Sequence, residues 1–429
     1  MKPIIIIADD LTGACDTGIK FHNAGLKTRV LTKPLPADAF SAPDIPVLSV
    51  NTDSRCMPPE LAGETVRSLL TALRDKEDFY LYKKVDSVLR GNVMAEIDGV
   101  FEALEPDFVL ITPAFPETGR RVRRGVLHIR GPQGQEDAVN ALELLQNQTR
   151  RACALIDSTV VRQGAGAVAA RARELNRTGA TVLLADAWAQ EDLDILAEAV
   201  MELGEGCIPA GSAGLAQSIA AGLSVRASQP QPREPASPGS TLVVVGTRHP
   251  ATLHQLQKLK ESADLKTYLI PAKGITQEDL AGELQRALER PLNPEGRDGL
   301  LLTTDRIYQG NGSHCVPLLH NEHNHLIREA LGMGVKELVG AWNISGIIAT
   351  GGDVAVEVLN RLELQWIDLM TEPIPGIVAG TAGGGPGKQF LITTKSGGFG
   401  GEDALVKMLQ YISSENKGGE SLCSTPAGS

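Results

Sequence analysis

The sequence predicts an α/β protein of two domains, each a mostly parallel sheet flanked by helices, with the active site in the cleft between them. Three observations predict this. Short aliphatic runs recur at 4–7, 109–112, 181–184, 241–245, 300–303 and 346–350, and they are continuous rather than alternating, as in strands covered on both faces. Ala/Leu/Glu-rich stretches of helical length lie between them, at 59–74, 161–176 and 277–289. The segment 226–240, RASQPQPREPASPGS, carries four prolines and no apolar periodicity, which makes it an exposed, stiff linker. The expected division is therefore 1–225, a linker 226–240, 241–416, and a loose polar tail 417–429.

At 429 residues the chain is too long for one ordinary core. Forty-one basic against 52 acidic residues give a net charge of −11, which argues against a broad nucleic-acid footprint while leaving room for a local basic pocket. Aromatic residues are only 4%, so a base-stacking platform is not expected. The six cysteines stand singly, without a C-x-x-C pair, as in a protein of the reducing cytoplasm. The apolar run at 4–8 stops at Asp9-Asp10, too short for a signal-peptide core, and no stretch approaches a membrane span.

Taken in chain order, the first strand ends in Asp9-Asp10-Leu11-Thr12-Gly13. Ligands of open α/β sheets bind beyond the carboxyl ends of strands, where two carboxylates can accept bonds from sugar hydroxyls or hold Mg²⁺ through water. The alternative is that one of them merely caps the following helix, but capping alone leaves the pair unexplained. The run 47–50 leads to Arg55. After the strand-like 79–82 come Lys83, Lys84, Asp86, Ser87 and Arg90, where Arg90 offers a planar fork for a carboxylate and a lysine adds point charge. A plain helix start capped by Asp86 or Ser87 fits this composition about as well. Together these strand ends read as a polyhydroxy-acid site. Beyond 109–112, a hairpin turning at Arg124-Gly125 is expected to solvate most of its arginines and to leave Arg120 as a site candidate.

The second half is punctuated by glycine. Gly246-Thr247 follows 241–245, Gly351-Gly352-Asp353 follows 346–349, and Ser396-Gly397-Gly398 follows 390–393. Strand, glycine, then helix lets backbone N–H groups approach phosphate oxygens, and three such ends in one domain favour a nucleotide site. The run 383–389 falls short of a P-loop, because Ala382 and Gln389 stand where glycine and Ser/Thr are required. A haloacid-dehalogenase phosphatase wants an aspartate where Leu11 stands. His314, His320, His323 and His325 lack metal-ligand spacing and read as a surface patch.

ADDLTGACDTG at 8–18, KKVDSVLRGN at 83–92, PAFPETGR at 113–120, GSAGLA at 211–216, ATGGDVA at 349–355 and TTKSGGFG at 393–400 together resemble the four-carbon acid sugar kinase family. Members of that family phosphorylate D-threonate, D-erythronate or 3-dehydrotetronate with ATP. The resemblance implies an N-terminal acid-sugar domain and a C-terminal nucleotide domain. It implies that Asp9, Arg55 and the segment from Lys83 through Asp86 to Arg90 hold the sugar acid, and that Thr247, Gly351–Asp353 and Gly397 hold ATP. It also makes a homodimer plausible. Val88 stands where the family more often has Ser/Thr, and Thr247 where it usually has serine.

The expected function is an ATP- and Mg²⁺-dependent kinase acting on the 4-hydroxyl of a four-carbon sugar acid, D-threonate first, with Asp10 and Ser87 among the groups around the substrate. Asp353 or Asp86 orients the hydroxyl; no metal ligand is assigned. An Asp-based phosphatase and a non-catalytic sugar-acid sensor are the competing readings.

Overall fold

The computed structural model describes residues 2–34, 45–76, 78–131, 134–223, 239–271, 298–309, 321–384 and 389–416, the side chains of 321–324 excepted. All but the last two residues of the expected linker lie outside these, as do the helical stretch 277–289, the tail 417–429, residues 385–388 of the glycine run, and His314 and His320. The chain divides into two compact units, Met1–Gln229 and Pro230–Ser429.

In the first unit the strands are β1 (Ile4–Ala8), β2 (Thr28–Leu31), β3 (Val47–Asn51), β4 (Tyr80–Lys84), β5 (Phe108–Thr112), β6 (Arg120–Arg123), β7 (Val126–Arg130), β8 (Glu136–Asn140), β9 (Cys153–Ile156), β10 (Val182–Ala185) and β11 (Cys207–Gly211). The main sheet runs β2-β3-β1-β4-β11-β5-β10-β9, and every pairing in it is parallel. Every residue of β1, β3, β5 and β11 is buried, which explains their unbroken apolar character. Two amphipathic helices, α1 (Leu11–Asn23) and α2 (Pro59–Arg74), and the more apolar α3 (Val93–Leu104) follow β1, β3 and β4. A Cβ on Gly99 would lie 2.4 Å from the Gly63 carbonyl, so the backbones of α2 and α3 touch there. Because β1 sits between β3 and β4, the chain leaves it in one direction to form β2 and β3 and returns on the other side with β4. This is a topological switch point, the place where open sheets bind ligands.

The hairpin expected at Arg124-Gly125 joins β6 to β7, and β8 extends it into a three-stranded antiparallel sheet. Both turn residues have positive φ, 52° and 73°. The buried Asp186 carboxylate accepts from their N–H groups at 2.7 and 3.0 Å. The helical stretch read at 161–176 divides. Gly164, at φ 100°, separates a short turn Ser158–Val161, capped by Asp157, from a helix at Ala165–Arg177.

The second unit contains β12 (Ser240–Val245), β13 (Leu265–Ile270), β14 (Gly299–Thr304), β15 (Ile344–Thr350), β16 (Trp366–Ile374), β17 (Ile377–Gly383) and β18 (Phe390–Lys395). Within it the order is β13-β14-β12-β15-β18-β17-β16. The strands from β13 to β18 in this order pair in parallel, and β17 and β16 add an antiparallel edge. Gly383 ends β17. The core combines Val243, Leu301, Ile348 and Leu391 of the sheet with Leu256, Leu405, Met408 and Ile412.

Candidate active site

Three neighbouring strand ends, those of β3, β1 and β4, carry the polar cluster of the first unit. Asp10 is the N-cap of α1 and accepts from Gly13 N–H at 2.8 Å, while Asp9 is left to Arg55. The Arg55 fork donates through Nε and Nη2 to the two oxygens of Asp9, at 2.7 and 2.9 Å, and through Nη1 to Asp10 at 2.7 Å. One of the pair therefore caps while both carboxylates share an arginine. Arg55 Nη2 also lies 3.7 Å from Asp86. Gly91, at φ 85°, crosses this cluster closely, since a Cβ there would sit 2.8 Å from Asp9 Oδ2.

Lys83 and Lys84 are the last residues of β4 rather than the start of a loop. Alternation sends them to opposite faces. Lys84 is buried with its Nζ toward Asp10 and Gly13, so near that a Cβ on Gly13 would lie 3.2 Å from it. Lys83 turns under the site and pairs with Glu96 at 2.7 Å, both groups buried; Glu96 also accepts from Ser54 at 2.7 Å. The loop 85–92 is not yet helix, because α3 starts only at Val93. Asp86 shapes the loop instead. Its Oδ1 accepts from Val88 N–H, Arg90 N–H and Arg90 Nε at 3.0–3.2 Å, and its Oδ2 from Arg90 Nη2 at 2.7 Å. Ser87 and Val88 stand half-buried at the tip. Asn92 ties the loop back to the Ser54 and Met57 carbonyls at 2.9 and 2.8 Å.

The three carboxylates differ in basicity. Burial opposes ionisation of Asp9, but the Arg55 fork, with Lys83 and Lys84 behind it, holds its carboxyl below the usual range. Burial likewise acts on Asp86, and Arg90, Arg55 and Lys84 outweigh it, leaving a pKa of about 2. For Asp10 burial and the charge of Asp9 prevail, so its pKa is raised and it is the most basic of the three.

In the second unit the three glycine ends converge. They lie at the carboxyl ends of the neighbouring strands β12, β15 and β18. A Cβ on Gly397 would lie 2.7 Å from Thr247 Oγ1, and one on Gly351, at φ 94°, would lie 3.4 Å from Thr247 Cβ. The helix Gly352–Arg361 points its N-terminus here, with Asp353 exposed in its first turn. Free N–H groups and the positive end of the helix dipole suit phosphate oxygens.

Three supports of this loop had no role assigned from the sequence, although Lys395 lies within the TTKSGGFG motif. Lys395 is 1% exposed and donates to Thr252 Oγ1 and the carbonyls of Ser396 and Gly397 at 3.0, 2.9 and 3.2 Å. These partners are uncharged, and burial pushes its pKa down to about 8. Thr252 donates in turn to Gly397 O at 2.7 Å. Gln255, fully buried, donates to the carbonyls of Phe399, Gly400 and Gly401 at 2.9–3.0 Å. The available signal was Thr252 and Gln255 on one face of the helix Pro250–Ser262.

Comparison with known proteins agrees with this division. Residues 4–219 match the family model of a sugar-binding N-terminal domain, and residues 242–405 that of a nucleotide-binding C-terminal domain. The chain is 31% identical over 414 residues to the D-threonate kinase of Bordetella bronchiseptica, covering 95% of this chain and 96% of that one. It is 29% identical over 428 residues to the 3-oxo-tetronate kinase of Methylobacterium radiotolerans, covering 95% and 98%. A solved Salmonella typhimurium LT2 protein shares the fold, with a TM-score of 0.77 at 20% identity over 96% of this chain and all of that one. The two family models and these matches over nearly the whole length place the chain in the four-carbon acid sugar kinase family.

Proposed function

We propose that this protein transfers the γ-phosphoryl group of ATP to the 4-hydroxyl of a four-carbon sugar acid, with D-threonate the first choice and D-erythronate or 3-dehydrotetronate the alternatives. The observation that carries this reading is the meeting of Asp9, Asp10, Arg55, Lys84, Asp86 and Arg90 at the ends of β3, β1 and β4. Such a cluster offers acceptors for hydroxyls and donors for a carboxylate within one small site. The phosphatase alternative asks Asp9 or Asp10 to attack phosphorus, yet both oxygens of Asp9 accept from the Arg55 fork, and those of Asp10 accept from Gly13 N–H and Arg55 Nη1.

Phosphoryl transfer asks the protein mainly for positioning and charge neutralisation. Asp9 and Asp10 would accept from substrate hydroxyls, and Lys84, with Ser87 on the 85–92 loop, would line the rest. Lys83 supports them from beneath through Glu96. Asp86, with its low pKa, is a weak proton acceptor and serves by aiming Arg90; we assign orientation of the attacking hydroxyl to Asp353. Thr247, Gly351, Gly352 and Gly397 would cradle the polyphosphate, with Lys395 fixing the carbonyls behind Gly397. Among the described residues no group of three or more His, Cys, Asp or Glu side chains is arranged to hold a metal. A single exposed carboxylate, Asp353, in the first turn after Gly351 suits a Mg²⁺ ion carried mainly by phosphates and water, which it could hold through water. When bound, the ion would neutralise charge on the β- and γ-phosphates.

A coupled ADP-release assay across D-threonate, D-erythronate, their L-isomers and 3-dehydrotetronate tests the substrate. D-threonate is expected to show the highest kcat/KM; a higher value for 3-dehydrotetronate than for both aldonic acids reverses the order.

A further inference from the structure

The cluster already balances its own charge. Asp9, Asp10 and Asp86 face Arg55, Lys84 and Arg90, and Lys83 is neutralised by Glu96. A sugar acid brings one more negative charge, so either an internal ion pair opens or a cation outside the set receives it. Arg120, the first residue of β6, is such a cation. Its Nη1 donates to the Thr118 carbonyl, while its Nε is buried with no acceptor among the described residues. Asp86 and Arg90 are close enough for their charges to act on it, and burial lowers its pKa. No carboxylate among the described residues forms an ion pair with it. It lines a cavity of about 470 Å³ together with Thr118, Arg121, His128, Arg130, Glu136 and Trp188. Arg90, whose side chain is 66% exposed, keeps its outer edge open beyond Asp86.

We propose that Arg120 recognises the carboxylate of the sugar acid, jointly with the outer edge of Arg90, and thereby makes the enzyme select an acid over the corresponding polyol. A buried N–H without an acceptor gains a bond on binding without losing one in the free protein. A carboxylate also relieves the repulsion between the two guanidinium groups, and its two oxygens suit a planar donor. The inference rests on the kinase reading and adds the residue that reads the acid end.

The test compares wild type, Arg120→Gln and Arg120→Lys, using the sugar acid turned over best and the matching tetritol as competitor. Arg120→Gln should raise KM for the acid at least about tenfold, which is 1.4 kcal/mol, with Arg120→Lys falling between. The Ki of the tetritol, which lacks the carboxylate, and KM for ATP should stay within about twofold. The ligand-free melting temperature should stay close to that of wild type, since among the described residues Arg120 forms no ion pair and its one hydrogen bond goes to the Thr118 carbonyl, which a glutamine amide can also serve; an arginine with a purely structural role would lower it. Unchanged KM for the acid in Arg120→Gln, or equal losses for acid and tetritol, overturns the inference and leaves the kinase reading standing. If Arg120→Gln does not fold, Arg120→Lys decides by the same comparison. No turnover of any acid by wild type overturns the reading and the inference with it.

Discussion

Asp86→Asn removes one charge from the loop that follows β4 and keeps its shape. The carboxylate accepts four hydrogen bonds, two from the Arg90 side chain and two from backbone N–H groups. Its pKa is about 2 against an ordinary 3.8, and that difference is worth about 2 kcal/mol of stability at neutral pH. A folded-state pKa below the unfolded one gives stability that is full above pH 3.8 and is lost as the pH falls through 2. The variant should therefore be about 2 kcal/mol less stable at pH 7, and the gap should shrink to about 1 kcal/mol at pH 3. Trp188 is the one tryptophan of the first unit, so urea unfolding in a Trp342→Phe, Trp366→Phe background follows that unit alone. This avoids treating two domains as one two-state transition. A gap of the same size at both pH values, or none at all, refutes the assignment of Asp86 as an ionised anchor. In turnover, the same substitution should raise KM for the sugar acid by releasing Arg90.

Two further outcomes follow from the nucleotide-binding half. In Gly397→Ala the new methyl group would meet Thr247 Oγ1 at 2.7 Å and His249 Cβ at 2.9 Å; calorimetry should show ATP affinity falling about tenfold or more, with KM for the sugar acid unchanged. Lys395 has a folded pKa of about 8 against 10.5, so between those values the unfolded chain holds a proton the native state has released, and stability rises with pH. Relative to Lys395→Met, the wild type should thus gain stability from pH 8 toward pH 10.5, up to about 3 kcal/mol in all; equal slopes for the two proteins contradict it.

How much of this was legible in the sequence depends on the kind of signal. Unbroken aliphatic runs such as 4–7 and 109–112 announced buried parallel strands, because burial on both faces leaves no polar alternation. The antiparallel edge, β16 and β17, was missed. Seven of the nine residues of β16 are only partly buried and polar residues interrupt its apolar pattern, while β17, though six of its seven residues are buried, reads IVAGTAG and has only two large aliphatic residues. Strand order was out of reach, since nothing local says that β1 lies between β3 and β4. At the site, Asp9, Arg55 and Arg90 were readable as charged groups just past strands. Lys83 looked like a partner of Lys84, but a buried ion pair with Glu96 takes it under the sheet end. The clue was Glu96 itself, which lies between Val93, Met94 and Ile97 on the buried side of α3. Lys395 escaped for a related reason: its partners are backbone carbonyls and a threonine, which leave no charge complement in the sequence.

The central claim is that nucleotide and sugar acid react together, one phosphoryl group for one acid. Incubation of the protein with ATP, Mg²⁺ and the best acid, followed by ³¹P NMR, measures this directly. The account predicts one ADP formed per acid consumed, a new phosphomonoester resonance coupled to the C4 protons, and no ATP loss without the acid. Inorganic phosphate released from a phosphorylated acid without nucleotide, or an acid that binds while ADP never forms, would contradict it.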